Sequence, residues 1–316
     1  MSDTDLSVCI LTRTQPILLR QCVAACVEEI HNAGITGEII LIDNSSVDGY
    51  PRALADAFPA VTVVRNEENL GFSAANNKAI RLSRGRLVLI LNDDAILQPG
   101  SLRLMLLELE SDSKIAAVGP CLLNPDGSAQ LDFTNKRFPH LRGLFCEFLG
   151  LNRVLNERTS TRDLFTLWKD PETSGETDHL AGACLLARRA ALDSVNLFDE
   201  RFYFWFDDTD LCFRLKKAGW RLVYLARAHV MHYGSSSFKQ LSRVERSPIL
   251  FESLIYYYRK NVGRLRCLVL RLTLAAAFLL RLPLLILRNA WMNSGRTERS
   301  EAVGASLAAL RLLILG

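Results

Sequence analysis

The chain lacks the features that would place it among several common protein classes. Its eight cysteines (9, 22, 26, 121, 146, 184, 212 and 267) include no C-x-x-C pair and lie mostly inside apolar runs. That spacing argues against a zinc centre or a disulfide framework and reads as reduced, buried thiols. The opening residues, MSDTDLSVCIL, hold neither a basic segment nor a long apolar one, so no secretory signal is expected and the active part should face the cytoplasm. No uncharged run of about 20 apolar residues occurs, which disfavours a spanning helix. There is also no internal repeat and no low-complexity tract.

What is present is ample apolar content and an uneven charge. With 316 residues and 49% hydrophobic content, the chain can bury a large core. The net charge is +4, but residues 246–316 hold 11 Arg and Lys against 3 Glu, a balance of +8, which leaves −4 for residues 1–245. The positive charge belongs to the tail, whose stretch LRCLVLRLTLAAAFLLRLPLLILRN (265–289) is interrupted by Arg271, Arg281 and Pro283. An interfacial amphipathic segment fits this pattern, with its basic residues toward anionic head groups; a helix packed on the rest of the protein is the plainer reading.

Short β-branched runs alternate with helical patterns in the first half, the signature of a wound α/β sheet. Strands are expected at 6–11, 38–42, 61–65 and 86–91. Helices are expected at Ile17–Ala33, ended by Gly34, and at Arg52–Phe58, Ala74–Ser83 and Ser101–Ser111. Polar residues follow each strand: Thr12 and Arg13, Asp43 and Asn44, Asn66, and Asn92 to Asp94. Parallel strands place such ends on one rim, where open α/β sheets bind ligands. Turn chemistry alone would account for any one cluster. Farther on, LNPDGSAQ reads as a hairpin turn, residues 156–178 as a long polar loop, and RLVYLA and HVMHYGSSS as strand-like pieces.

Three stretches carry candidate chemistry. In ILNDDAIL, two carboxylates leave an apolar strand, a setting for a divalent cation or for a helix N-cap. In ENLGFSAANNKAI, Gly71 permits close backbone approach, and Asn76 and Asn77 offer donors and acceptors near a helix start. In FWFDDTDLCFRLKKAGW, the spacing of Leu211, Leu215 and Ala218 predicts a helix stopped by Gly219, with Asp207, Asp208 and Asp210 in its first turn. Capping accounts for one of these aspartates but not three, and a desolvated carboxyl with a raised pKa suits a general base. His229 and His232 follow; a carboxylate and imidazole together would favour manganese over magnesium.

In order along residues 6 to 238, SVCILTRT, IILIDNSSVDG, NLGFSAANN, LILNDDA, GACLLARRAAL with FDERFYFWFDDTDLCFRLKKAGW, and AHVMHYGSSS resemble the motifs of the inverting family-2 glycosyltransferases. The bacterial rhamnosyltransferase-like and galactofuranosyltransferase-like members are the most similar. The resemblance implies a GT-A fold, a Rossmann-like, mostly parallel sheet flanked by helices, here with a C-terminal amphipathic helical tail. Residues 1–245 would form the catalytic domain, with 1–121 as the nucleotide-sugar half and 122–245 as the acceptor half, and 246–316 a membrane-associating tail. Thr12, Arg13, Asp43, Asn69, Gly71, Asn76 and Asp93 would line the donor nucleotide. Asp94 and His232 would hold Mn²⁺ or Mg²⁺, and Asp208 would be the base, with Asp207 beside it.

Two departures from the family pattern are Asn92, at the first position of the D-x-D motif, and Asp207, where Glu is commoner. The implied partners are a dTDP- or UDP-linked sugar, with dTDP-rhamnose foremost, and a polyprenyl-diphosphate-linked saccharide, met through peripheral contact at the cytoplasmic face of the bacterial inner membrane. No nucleic acid partner is expected. The alternatives are a galactofuranosyl or other hexosyl transferase, a nucleotidyltransferase, which would want a glycine-rich basic loop that ILTRTQPIL does not offer, and a non-catalytic membrane scaffold that retains the fold.

Overall fold

The computed structural model describes residues 4–13, 15–46, 49–131, 137–148, 171–234, 242–291 and 296–315. They form two compact units. The first comprises residues 1–137, 169–203 and 207–235, and the second residues 138–168, 204–206 and 236–316.

The first unit is built on a mixed, mostly parallel sheet, nine-stranded among the described residues. β1 (Leu6–Thr12), β2 (Gly37–Asp43), β3 (Val61–Arg65) and β4 (Leu87–Asn92) lie parallel in the order β3-β2-β1-β4. Their apolar runs are nearly continuous, and Val8, Ile10, Leu41, Leu89 and Ile90 are fully buried, because helices cover both faces of such a sheet. Those helices are α1 (Pro16–Ala33), α2 (Tyr50–Ala57), α3 (Gly71–Leu82) and α4 (Ser101–Ser111). α1 stops at Gly34, whose φ of 68° is the left-handed C-cap conformation that glycine adopts without penalty. α3 begins three residues earlier than its periodicity predicts. Gly71, at φ 77°, makes that start possible, since a Cβ there would lie 2.6 Å from the Tyr203 carbonyl oxygen.

The register aligns Thr12 with Asp43, and Leu11 with Asn92, so the polar ends of the strands do share one rim. Beyond β4 the sheet continues in the order β8 (Cys184–Arg188), β6 (Ile115–Leu123), β9 (Arg221–His232) and the three-residue β5 (Ala95–Leu97), with β7 (Gly175–Glu176) also paired to β9. After β8 come α6 (Arg189–Ser194) and α7 (Asp207–Lys217), with α5 (Leu141–Phe148) lying in the second unit. RLVYLA and HVMHYGSSS, which read as separate pieces, join in one strand of 12 residues. The ladder to β6 jumps from Pro120↔Leu225 to Cys121↔His229, a bulge that bends β9. Beyond the bulge His232 pairs with Ala95 of β5.

Charged side chains close the helix ends. Glu29 accepts the Gly100 and Leu102 amides at 2.8 and 3.0 Å, at the start of α4. Arg188 donates to the Leu109 and Asp112 carbonyls behind α4, and Arg189 to the Ile80 carbonyl behind α3. Two adjacent arginines thereby satisfy the orphan carbonyls of two helices.

In the second unit, α8 (Arg243–Tyr257) opens with a capping box of Ser242 and Glu245 and passes into a π-helical turn, Tyr258–Val262. α9 (Arg264–Trp291) and α10 (Arg296–Leu315) follow, tied by Arg271 Nε donating to the Leu313 carbonyl at 2.9 Å. Cys267, Leu270, Leu274, Ala277 and Phe278 of α9 face inward, and Phe278 packs on Phe251 with ring centroids 5.5 Å apart. Among the described residues no helix is long and apolar enough to cross a membrane.

Candidate active site

The rim is organised by side chains that hold one another. Thr12 Oγ1 donates to Asp93 Oδ2 at 2.6 Å, joining the end of β1 to the end of β4. Asp93 also receives the Arg13 backbone amide; burial lifts its pKa to about 7, with the charge of Asp94 adding and the Thr12 hydrogen bond opposing. The Arg13 side chain itself is exposed. Asp43 Oδ1 accepts the Ser46 amide at 2.7 Å, with Arg65 Nε 3.8 Å from its other oxygen. Asn44 bonds Asn69, Asn66 and the Leu70 amide, and Asn69 in turn accepts the Gly71 amide at 3.0 Å. These contacts hold the loop that leads into α3.

The other two asparagines of this stretch turn inward. Asn76 donates to the Phe72 carbonyl one turn back. Asn77 is 1% exposed and clamps Phe198 by both its backbone groups. His229 has an exposed side chain, and its backbone is paired with Ser101.

Asp94 and His232 meet because β5 and β9 pair beside them. The Tyr233 amide donates to the Asp94 carbonyl at 3.0 Å, and His232 Nε2 lies 3.4 Å from Asp94 Oδ1, with side chains 5% and 3% exposed. Gln130, which the sequence reading missed, sits behind the ring. Its amide nitrogen donates to the His232 carbonyl, so its oxygen must face His232 Nδ1, 2.8 Å away. In the neutral ring Nδ1 then carries the proton and Nε2 turns its lone pair toward a carboxylate oxygen. That form presents two acceptors to one point, the arrangement that a divalent cation resolves. No group of three or more His, Cys, Asp or Glu side chains placed to hold a metal occurs among the described residues. Asp94 and His232 would therefore leave most coordination positions to other oxygens.

The aspartates of α7 form a second cluster. The chain enters α7 through Trp205 and Phe206 at φ 62° and 61°, a conformation that non-glycine residues seldom adopt. Asp207 is buried and accepts the Asp208 amide at 2.8 Å. Burial, and then the charge of Asp208, pushes its carboxyl well up. Asp208 is 22% exposed in its side chain. Burial pushes it up too, but the charge and hydrogen bond of His179 and the amides of Gly182 and Thr209 outweigh that and bring it to about 2. The raised carboxyl expected of this stretch is thus Asp207, while Asp208 stays ionised, because most of the donors, and the imidazole of His179 with them, collect on Asp208.

A single short segment joins the two clusters. The Ala183 carbonyl accepts the Asn92 amide at 3.0 Å, and the Gly182 amide donates to Asp208 Oδ2 at 3.1 Å. Gly182 is packed closely, and a Cβ there would lie 3.0 Å from Phe72 and 3.5 Å from Asp208 Cβ.

The family described as "Glycosyltransferase like family 2" matches residues 4–246. An N-acetylglucosaminyl-diphospho-decaprenol L-rhamnosyltransferase of Mycobacterium tuberculosis is 31% identical over 215 residues, 63% of this chain and 67% of that protein. Rhamnosyltransferase WbbL of Escherichia coli is 29% identical over 171 residues, 52% of this chain and 61% of that protein. Among solved structures, the mannosyltransferase PcManGT of Pyrobaculum calidifontis, determined with GDP-Man and Mn²⁺, shares the fold at a TM-score of 0.59 and 17% identity, covering 98% of this chain and 88% of that one.

Proposed function

The chain belongs to glycosyltransferase like family 2, and from that premise we propose a metal-dependent, inverting transfer of rhamnose from dTDP-rhamnose to a saccharide carried on a polyprenyl diphosphate. It is a rhamnosyltransferase-like enzyme of polysaccharide synthesis that draws on a nucleotide sugar. The observation that carries the finer reading is the pairing of two unlike carboxylate clusters across Gly182 and Ala183.

On the donor side, Thr12, Arg13, Asp43, Asn69, Gly71, Asn76 and Asp93 lie on or behind the rim that would receive the nucleotide. Asp43 and Asn69 shape it directly, whereas Asn76 supports it from inside α3. Mn²⁺ or Mg²⁺ held by Asp94 and His232 would neutralise the departing diphosphate, and the imidazole ligand favours manganese. On the acceptor side, Asp208 is ionised and partly open, so it can take the proton of an acceptor hydroxyl as that oxygen attacks the anomeric carbon. Asp207, buried and with its carboxyl pushed up, is the lesser candidate. Direct displacement by the acceptor inverts the anomeric centre and needs no covalent enzyme intermediate.

A lipid-linked acceptor requires contact with a membrane surface, and the second unit offers a matching face. α9 exposes Leu265, Leu268, Val269, Leu272, Leu279 and Leu280 along one side, and Arg259, Lys260, Arg264 and Arg266 are exposed at its start. An apolar stripe beside a cationic cluster fits peripheral binding to an anionic lipid surface, here the cytoplasmic face of the inner membrane. Calorimetric titration of dTDP, UDP and GDP, each with and without Mn²⁺, tests the donor side. Metal-dependent binding of dTDP alone is expected, and absence of binding by all three would overturn the reading. Transfer to a polyprenyl-diphosphate saccharide, with the product anomer read by NMR, tests the rest.

A further inference from the structure

His179 stands three residues before Gly182, and no motif of the sequence reading includes it as a site residue. Its side chain is 9% exposed, and Nε2 lies 3.2 Å from Asp208 Oδ1. Both its flanks are anchored. The Thr177 amide donates to the Leu222 carbonyl of β9 at 3.0 Å, and the Leu180 amide to Cys212 Sγ of α7 at 3.4 Å. The ring's other nitrogen, Nδ1, is buried without a hydrogen-bond partner among the described residues. None of them fixes its tautomer from behind the ring, so the carboxylate does. In either charge state of the ring, the proton on Nε2 is the one that meets Asp208.

The two oxygens of Asp208 are therefore unequal. Oδ1 receives His179 Nε2, the Thr209 amide at 2.6 Å and Thr209 Oγ1 at 3.2 Å. Oδ2 receives the Gly182 amide alone. A carboxylate oxygen has about two lone-pair sites, so Oδ1 is filled and Oδ2 keeps one open. Resting on the reading of Asp208 as the base, we infer that His179 is a positioning residue, which with Thr209 occupies Oδ1 and leaves Oδ2 as the atom that receives the acceptor's proton. The other titratable groups facing this carboxylate are Asp207, on which the charge of Asp210 acts in turn, and the Cys212 thiol. Asp207 opposes the ionised form, and His179 and the two amides offset it.

The test compares His179→Leu and His179→Gln in the full-length protein. Gln can extend a donor to the same oxygen, and Leu cannot. The titration of Asp208 is read by ¹³C NMR of carboxyl-labelled aspartate, the signal assigned by its absence in Asp208→Asn. In His179→Leu the midpoint should rise by about a unit or more, and kcat should fall roughly tenfold or more with the donor KM unchanged. His179→Gln should recover most of kcat. An unmoved Asp208 titration in His179→Leu, or an unchanged kcat, would overturn the inference; so would failure of Gln to recover activity in a folded protein. Should the wild-type protein transfer no sugar while the titration shifts as stated, the proposed reaction fails and the holding of Asp208 by His179 stands.

Discussion

Two histidine–aspartate pairs lie on either side of Gly182–Ala183, and they do opposite things. His232 and Asp94 are 3.4 Å apart, His179 and Asp208 3.2 Å, and all four side chains are largely buried. What separates them is the far side of each ring. Gln130 Oε1 accepts from His232 Nδ1, so in the neutral ring Nε2 turns its lone pair toward Asp94. Among the described residues nothing bonds Nδ1 of His179, so its Nε2 is a donor. With its imidazole neutral, the first pair presents two acceptors, suited to a cation. The other is a closed hydrogen bond that holds a carboxylate ionised. Contact between the same two residue types therefore does not define a function; the atom behind the ring does.

The largest expected effect falls on the closed pair. Asp208→Asn keeps the shape and removes the proposed base, and sugar transfer should drop on the order of 10²- to 10⁴-fold while metal-dependent nucleotide binding persists in calorimetry. If binding fell with it, the two pairs would not be separable. Gln130→Leu, which frees the His232 tautomer, should weaken Mn²⁺ affinity roughly 10- to 100-fold and leave the titration of Asp208 unchanged. An unaltered Mn²⁺ affinity would remove the distinction drawn between the pairs. Replacing Arg259, Lys260, Arg264 and Arg266 with Gln together should abolish salt-sensitive sedimentation with phosphatidylglycerol vesicles, each charge contributing about 1 kcal/mol, and should spare nucleotide binding.

The smallest effect concerns Asp207. Its carboxyl is raised by burial and by the charge of Asp208, so the favourable contribution of its neutral form is complete below the usual carboxylate range and is lost as pH rises through the raised value. Asp207→Asn retains an acceptor for the Asp208 amide and carries no charge. Its Tm should match the wild type near pH 4 and exceed it at pH 8, by scanning calorimetry. Asp208 behaves in the reverse sense. Its contribution is present above the usual carboxylate range and is lost as pH falls toward about 2.

The sequence reveals the frame of this site more readily than its supports. β-branched runs ending in Thr12, Asp43 and Asn92 fall on one rim because parallel strands must share an end, and Gly34 stops α1 where the pattern places it. The helix of α7 was legible too, from Leu211, Leu215 and Gly219. Gln130 and His179 were not, since their partners lie 102 and 29 residues away and neither belongs to a periodic pattern. Asn77 shows the converse: it sits in a polar motif yet spends its amide on the Phe198 backbone. The bulge that carries His232 to β5 has no local signature at all, because it arises from a mismatch in length between β6 and β9.

The Gly182–Ala183 dipeptide has a bearing on how such a catalyst can diversify. The Ala183 carbonyl holds the strand that ends at Asn92, and the Gly182 amide holds Asp208. In the proposed reaction the two sides of the bond being made are therefore gauged from two consecutive residues. Loops around the nucleotide site and around the acceptor site could then drift independently, each measured against the same datum, and new pairings of donor and acceptor would need no fresh alignment of the bond being made.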